Sequence, residues 1–309
     1  MCSFSFTFSI ALAFVVSLII LRMVSVKRFR NMIQTDCAFE YLDLKTKRKK
    51  RFNKLEDAET CYLSVVIPAY NESERIIKML DETISYLTKN NYDFEIIVVN
   101  DGSKDDTVSV VETYRLANNI HRLKVLSYQD NLGKGGAVTT GMLNASGKYI
   151  LFADADGASN FEEIKKLENA IIQEKFDAAF GSRAHMVNTA AVVKRSILRN
   201  ILMKCFHFYL SIMGIRDIAD TQCGFKMFTR DSARQIFSNM HVKGWIFDIE
   251  VIILLRFFKK KIKEIPITWH EVPGSKMSLM SDSFQMALDL FLIRFNYFTK
   301  FWNIKHHQQ

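Results

Sequence analysis

The sequence predicts an α/β fold: a mostly parallel, doubly wound sheet flanked by helices, preceded by one N-terminal transmembrane helix. Three observations predict it. From Leu63 to Phe180, short β-branched runs alternate with stretches of helical periodicity, the pattern of parallel strands joined by crossover helices. Phe94-Glu-Ile-Ile-Val-Val99 is almost continuously apolar, as a strand covered on both faces must be. No charged residue occurs between Met1 and Leu21.

Composition narrows the class. With 49% apolar and 24% charged residues the chain is not disordered. Three prolines and twelve glycines exclude collagen-like and proline-rich architectures. The 309 residues allow one large domain or two small ones. The net charge is +9 (42 − 33), yet mean hydropathy is zero, so strongly apolar segments offset the charge.

The first is residues 4–21, FSFTFSIALAFVVSLIIL, about the 20 residues that span a bilayer core. A cleaved signal peptide needs basic residues before this run and a small-x-small site after it. Here Arg22, Lys27, Arg28 and Arg30 follow it, and Leu21-Arg22-Met23 is no cleavage site. Residues 1–22 therefore read as a retained anchor, with the flanking basic residues holding the rest of the chain in the cytosol. Residues 23–62 read as a basic juxtamembrane linker. Its KTKRKKR run (45–51) is a solvated linker or a patch for anionic membrane lipid; beside an anchor the lipid reading is preferred and nucleic acid is not expected as a partner.

The α/β domain occupies 63–280. Its strands are Leu63–Pro68, Phe94–Val99, Leu123–Ser127, Tyr149–Ala153 and Asp177–Phe180. Helices between them run from about Glu74 (capped by Asn71 or Ser73), from Asp105 or Asp106, from Gly135 and from Phe161. A further helix is expected over 192–212. Residues 281–309 form an amphipathic helix with a narrow polar stripe of Asp282, Gln285, Asp289, Asn296 and Lys300. Its wide apolar face belongs to the core or to a membrane interface. Five cysteines without a C-x-x-C pair suggest free thiols rather than a zinc site or a disulfide framework.

Ligands of such a sheet bind at the carboxyl ends of its strands. There stand Ala69-Tyr70-Asn71-Glu72, Asn100-Asp101-Gly102-Ser103, Asp154-Ala155-Asp156-Gly157 and Gly181-Ser182-Arg183, a set suited to a metal and an anion. No P-loop is present, and Gly133-Lys134-Gly135-Gly136 breaks the dinucleotide spacing. Asp154 and Asp156, one residue apart, can converge on one hard cation such as Mg²⁺ or Mn²⁺, completed by substrate phosphates. The alternative is a pair of turn aspartates capping the helix near Phe161.

With these residues placed, the sequence resembles the family 2 glycosyltransferases with the GT-A fold, and more closely their dolichyl-phosphate β-glucosyltransferase branch. The motifs are VVIPAYNESERI (65–76), VVNDGSKDDT (98–107), NLGKGGAVTTGM (131–142), FADADGAS (152–159), GSRAH (181–185), DTQCGFKMFTRD (220–231), WIFDIE (245–250) and EVPGSK (271–276). DADGAS, GSRAH and the DTQCGFK-to-EVPGSK set separate this branch from the dolichyl-phosphate mannosyltransferases. The resemblance implies glucose transfer from UDP-glucose to dolichyl phosphate with inversion. The product, dolichyl β-D-glucosyl phosphate, would serve N-glycan precursor assembly. It also implies a single-pass endoplasmic reticulum membrane protein with its catalytic domain facing the cytosol. Another polyprenyl-phosphate transferase, such as one using GDP-mannose, and a non-catalytic nucleotide-binding scaffold remain as alternatives; a homo-oligomer is compatible with either.

The resemblance also distributes roles. Asp154 and Asp156 hold the metal, Asp156 as the direct ligand, with Ala158 where mannosyltransferase relatives carry a further polar ligand. Pro68, Ala69, Tyr70, Glu72, Asp101 and Lys134 receive the nucleotide; Pro68 and Tyr70 have turn and core packing as an alternative. Gln222, Trp245 and Asp248 contact glucose, unless Trp245 is core. Arg183, Arg195, Arg199 and Lys226 hold the acceptor phosphate, with a solvated basic face as the alternative for Arg199. Asp154, Asp156, Arg183 and Gln222 carry the catalysis, and Ser275 and Lys276 close over the donor. A phosphate monoester is already largely dianionic at neutral pH, so no strong general base is required.

Overall fold

The computed structural model describes residues 16–29, 39–186, 208–274 and 279–306. Its centre is a seven-stranded sheet. The strands are β3 (Cys61–Ala69), β4 (Phe94–Asn100), β5 (Leu123–Ser127), β6 (Gly147–Ala153), β7 (Ala178–Ser182), β8 (Phe225–Thr229) and β9 (Ile262–Pro266), in the order β5-β4-β3-β6-β8-β7-β9. All neighbours are parallel except β8, which runs antiparallel to both β6 and β7. The expected strands are present, and β8 and β9 are additions. Phe225-Lys-Met-Phe and Ile262-Lys-Glu-Ile each carry a charge inside a short run, which hides a strand from composition alone.

The pleat divides the core in two. Val66, Ile97, Val99, Ile150 and Phe152 face one side; Val65, Ile67, Ile96, Val98, Leu151 and Ala153 face the other, as the two-residue period requires. The second side is covered by α2 (Ile76–Lys89), α3 (Thr107–Ala117) and α5 (Ile164–Ile172). In α2, Ile76, Met79, Leu80, Thr83 and Leu87 make the buried stripe, the spacing of one helix face. The first side is covered by α4 (Lys134–Leu143), α6 (Arg230–Phe237), α7 (Phe247–Phe257) and α8 (Leu279–Phe298). Helix α4 is buried from Gly135 to Leu143, with Gly141 set against Val66 of β3 and Val99 of β4 and Gly135 against Phe247 of α7, where a Cβ would not fit.

Two expectations change at the level of local structure. Neither Asn71 nor Ser73 caps α2. Asn71 adopts φ +54°, its side chain accepts from the Lys104 N–H, and the Ser73 N–H donates to Asp105, so both tie this loop to the one after β4. Part of the expected linker is an ordered hairpin, β1 (Glu40–Asp43) with β2 (Arg48–Arg51). Its turn is closed by the Thr46 N–H on Asp43, and Tyr41 packs on Phe52. The fully buried Arg115 reaches the Leu42 carbonyl. The basic residues of β2 are all exposed on this fixed hairpin.

The polar stripe of the C-terminal helix is a seam. Helix α1, described over 16–28, lies along it: Arg28 Nε and Nη2 donate to Asp289 at 2.7 and 2.9 Å, and Asn296 donates to Ser25 at 2.6 Å. Phe29 meets Trp302 edge-on at 5.1 Å. Asp289 and Asn296 are consequently buried, whereas Phe284, Leu288, Phe291 and Phe298 are exposed. The helix is thus core on one side and bare on another. Among the described residues no helix is long and apolar enough to cross a membrane, and residues 1–15 of the expected anchor lie outside them.

Asp289→Ala leaves Arg28 without its carboxylate and is expected to cost about 1–3 kcal/mol. The check is the thermal unfolding midpoint, with Asp289→Asn losing less because it keeps an acceptor.

Candidate active site

The carboxyl ends of β3, β4, β6 and β7 lie on one edge of the sheet, and antiparallel β8 enters at the same edge. Asp101, Asp154, Asp156 and Arg183 stand there at the ends of their strands. The Asp154 N–H donates to the Gly224 carbonyl at 3.0 Å, which joins the loop after β6 to the segment before β8. A Cβ on Gly224 would stand 1.9 Å from Asp154 Oδ2, so only glycine lets this carboxylate sit where it does. Gly224 stands inside the DTQCGFK motif, but no local pattern gives its role; the contact is made by residues 70 positions apart.

Lys134 pairs with Asp154 at 2.7 Å and lies over the rings of Phe152 and Trp245. Burial opposes its charge, but Asp154 and Asp248 outweigh burial and hold its pKa above the usual lysine value. Asp156 is displaced upward by burial and by the neighbouring charge of Asp154, against the Ala158 N–H that its carboxylate accepts. Two crowded carboxylates at a strand edge are short of positive charge. That shortage and the hard oxygen donors fit a divalent cation whose remaining positions are filled by phosphate oxygens. Among the described residues no group of three or more His, Cys, Asp or Glu side chains is placed to hold a metal ion.

The glycine loop is built from below. Asp101, 3% exposed, accepts from the backbone N–H groups of Leu132 at 2.7 Å and Gly133 at 2.9 Å, while burial pushes its pKa up. Its carboxylate, expected to receive the nucleotide, is already engaged by this loop. Gly133 has φ +97°, and a Cβ there would lie 2.6 Å from the Lys243 carbonyl, which accepts from the Gly136 N–H at 3.1 Å. The wall carrying Lys243 is itself held by the fully buried Glu250, which accepts from the Val242 N–H at 2.7 Å and the Tyr297 hydroxyl at 2.8 Å.

On the nucleotide side, Ala69 is buried while Pro68 and Tyr70 are partly exposed at the end of β3. Glu72 is clamped by Arg75, whose Nε and Nη2 donate at 2.7 and 2.6 Å; Arg75 Nη1 also donates to the Pro273 carbonyl. Arg75 was not singled out in the sequence, although it stands in VVIPAYNESERI. Arg183 is gripped by Asp220 through Nε at 2.7 Å and Nη2 at 2.8 Å. Burial works against the guanidinium, and Asp220 outweighs it; reciprocally, Arg183 keeps Asp220 below the usual carboxylate value despite burial. Its guanidinium also lies 5.3 Å from the centre of the Trp269 ring, a residue outside every quoted motif.

Two expected contacts are displaced. Lys226 and Asp248 form a buried ion pair at 2.6 Å, and Lys226 also donates to the Cys223 carbonyl. Both are at most 4% exposed, so Lys226 is spent on Asp248 rather than open to a phosphate, and Asp248 lies beneath the site rather than facing a sugar. The reason is β8: its first residues cross under the edge, and the side chain of Lys226 points into the layer beneath. Trp245 remains partly exposed. The Gln222 amide points toward the sulfur of Met286 on α8, 3.9 Å away. Arg195, Arg199, Ser275 and Lys276 lie outside the described residues.

The family model "Glycosyl transferase family 2" matches residues 64–237, which include the whole edge just described up to α6. The chain belongs to the family 2 glycosyltransferases. Among curated family members, the Saccharomyces cerevisiae dolichyl-phosphate beta-glucosyltransferase is 49% identical over 79% of this chain and 78% of its own length. The human protein of the same name is 40% identical over 84% and 82%. Of solved structures, glucosyl-3-phosphoglycerate synthase from Mycobacterium tuberculosis in complex with UDP superposes with a TM-score of 0.57 at 19% identity. That match covers 76% of this chain and 80% of the synthase, a likeness of fold. The same enzyme with Mn²⁺, UDP-glucose and phosphoglyceric acid gives 0.56.

Gly224→Ala is expected to push the Asp154 carboxylate aside and lower turnover about a hundredfold, with an unchanged far-UV circular dichroism spectrum. Lys226→Ala leaves Asp248 as an uncompensated buried charge and is expected to destabilise by about 3–5 kcal/mol. Denaturant unfolding reads this, and Lys226→Met with Asp248→Leu together should recover most of it.

Proposed function

We propose that this family 2 glycosyltransferase moves glucose from UDP-glucose to dolichyl phosphate with inversion, releasing UDP and forming dolichyl β-D-glucosyl phosphate for N-glycan precursor assembly. The observation that carries the reading is the near-full-length similarity to dolichyl-phosphate beta-glucosyltransferases, at 49% and 40% identity. A site edge that places two carboxylates, Lys134 and Arg183 together supports it.

Departure of UDP builds negative charge on the β-phosphate. Asp154 and Asp156 would hold a divalent cation, Mg²⁺ or Mn²⁺, which when bound supplies Lewis-acid neutralisation of that charge. Lys134, charged and already at Asp154, adds a second positive centre beside the diphosphate. The uridine lies over the ends of β3 and β4, at Pro68, Ala69, Tyr70 and Glu72, and Asp101 serves it by fixing the loop at 131–133. Uracil N3–H is a donor and needs an acceptor there. Trp245 and Gln222 bound the glucose.

The nucleophile is a phosphate oxygen. With a second pKa near 6 it arrives charged, so the protein's task is to bring two anions together rather than to remove a proton. Arg183 does this with the part of its guanidinium that Asp220 leaves free. Arg195 and Arg199 are further cations for the same phosphate.

The acceptor is a lipid. We place the chain in the endoplasmic reticulum membrane with residues 1–22 as a single span and the catalytic domain in the cytosol. The bare aromatic side of α8 and the exposed apolar side chains of α1, Ile19, Ile20 and Met23 among them, would meet the bilayer interface. The exposed basic strand β2 would meet anionic headgroups, each basic residue worth about 1 kcal/mol near the surface.

Full-length protein given UDP-glucose, dolichyl phosphate and Mg²⁺ is expected to yield glucosyl lipid and UDP. Product from GDP-mannose instead would establish a mannosyltransferase. Asp156→Ala is expected to reduce turnover by on the order of a thousandfold; turnover that survives both this change and chelation would remove the metal from the reading.

A further inference from the structure

Strand β9 continues past Pro266 as an extended segment that serves two parts of the site at once. Its Glu264 accepts from the backbone N–H groups of Ala219 and Asp220 at 2.9 and 2.7 Å and so fixes the carboxylate that grips Arg183. Four residues on, the segment zips onto the loop after Asp156. The Asn160 N–H donates to the Thr268 carbonyl at 3.1 Å, the His270 N–H donates to the Ala158 carbonyl at 2.9 Å, and Ser159 and Trp269 form an antiparallel bridge. Glu163 accepts from the Thr268 hydroxyl at 2.8 Å. Between these two attachments Trp269 presents its ring to the Arg183 guanidinium at 5.3 Å.

Arg183 is therefore held twice. Asp220 takes the Nε–Nη2 edge and also accepts from the Arg183 backbone N–H at 2.8 Å; the guanidinium carbon stands over the Trp269 ring. Nη1 has no part in the pair with Asp220. A guanidinium held along one edge and seated over an aromatic ring has little rotamer freedom left to lose when it binds an anion. A cation over an indole ring is attracted to it by the ring quadrupole.

We infer that Trp269 is a positioning residue for the acceptor phosphate: with its ring under the Arg183 guanidinium and its backbone laced to the loop after Asp156, it sets the distance between the phosphate-binding guanidinium and the metal-binding carboxylates. The inference rests on the dolichyl-phosphate reading of the site. It makes the β9 extension the element that aligns acceptor with donor, while the uridine is assigned to the loops after β3 and β4. Loss of the indole should then weaken the acceptor and spare the donor.

The test uses full-length wild type, Trp269→Ala and Trp269→Phe, with steady-state kinetics for both substrates and calorimetric binding of UDP with Mn²⁺. Trp269→Ala is expected to raise KM for dolichyl phosphate about tenfold, leaving KM for UDP-glucose and UDP binding at wild-type values. Trp269→Phe, which keeps a π-face, is expected to restore most of the acceptor affinity. An unchanged dolichyl-phosphate KM in Trp269→Ala overturns the inference. So does a parallel loss of kcat, both KM values and UDP binding that phenylalanine does not rescue, since that pattern marks damage to the loop alone. Wild type that fails to glucosylate dolichyl phosphate overturns the substrate reading, and the inference with it.

Discussion

Asp154 stands where three parts of the chain meet, and the site depends on its being tolerated there. Its backbone is paired with Gly224, its carboxylate fills the space a side chain at Gly224 would need, and its charge is met by Lys134. Each partner is supplied by a different element: the end of β6, the approach to β8 and the start of α4. Inserting β8 antiparallel between β6 and β7 is what delivers the glycine to the edge. A wholly parallel arrangement would start β8 at the opposite edge of the sheet, leaving Asp154 without its neighbour.

Around this point the charges are arranged in layers. At the edge lie Asp154, Asp156, Lys134 and Arg183; beneath them Lys226 and Asp248 neutralise each other among Phe152 and Phe180. A buried pair of this kind adds little net stability compared with apolar residues of the same size, but breaking it is costly. Beneath the glycine loop, Asp101 and Glu250 act as acceptors for backbone N–H groups. Carboxylates that a motif would assign to substrate are thus used to shape the loops that meet substrate. Glu250 also ties that wall to α8 through Tyr297, and α8 in turn holds α1 through Asp289 and Asn296. The apolar faces turned outward on α1 and α8 and the sheet edge that carries Asp154 and Arg183 therefore belong to one packed body.

Much of this was legible in the sequence. Buried parallel strands announce themselves through unbroken apolar runs, as in Phe94–Val99, because both faces need cover. Strand-end loops announce themselves through short polar clusters, which is why Asp101, Asp154, Asp156 and Arg183 could be placed at one edge of the sheet from the sequence. The strands β8 and β9 were hidden because Lys226, Lys263 and Glu264 sit within them. Those charges are satisfied by partners far away in the chain, Asp248 for Lys226 and Glu174 for Lys263, which no local window contains. The hairpin β1–β2 was read as linker because its basic residues outweigh the few apolar contacts, Tyr41 with Phe52 and Phe39 with Tyr128, that fold it onto the domain.

The sequence by itself determined the α/β class, the order of the early strands, the carboxylate pair at a strand end and the family, because each is written in neighbouring residues: period, run length and motif spacing. Only the tertiary structure decided which charged side chains lie open at the strand edge and which are buried against each other. Lys226 and Asp248 are indistinguishable from site residues in the motif, and Gly224, Arg75 and Trp269 are unremarked in it. Their roles follow from distances between segments dozens of residues apart, and burial makes such distances decisive: a charge removed from water must find its partner.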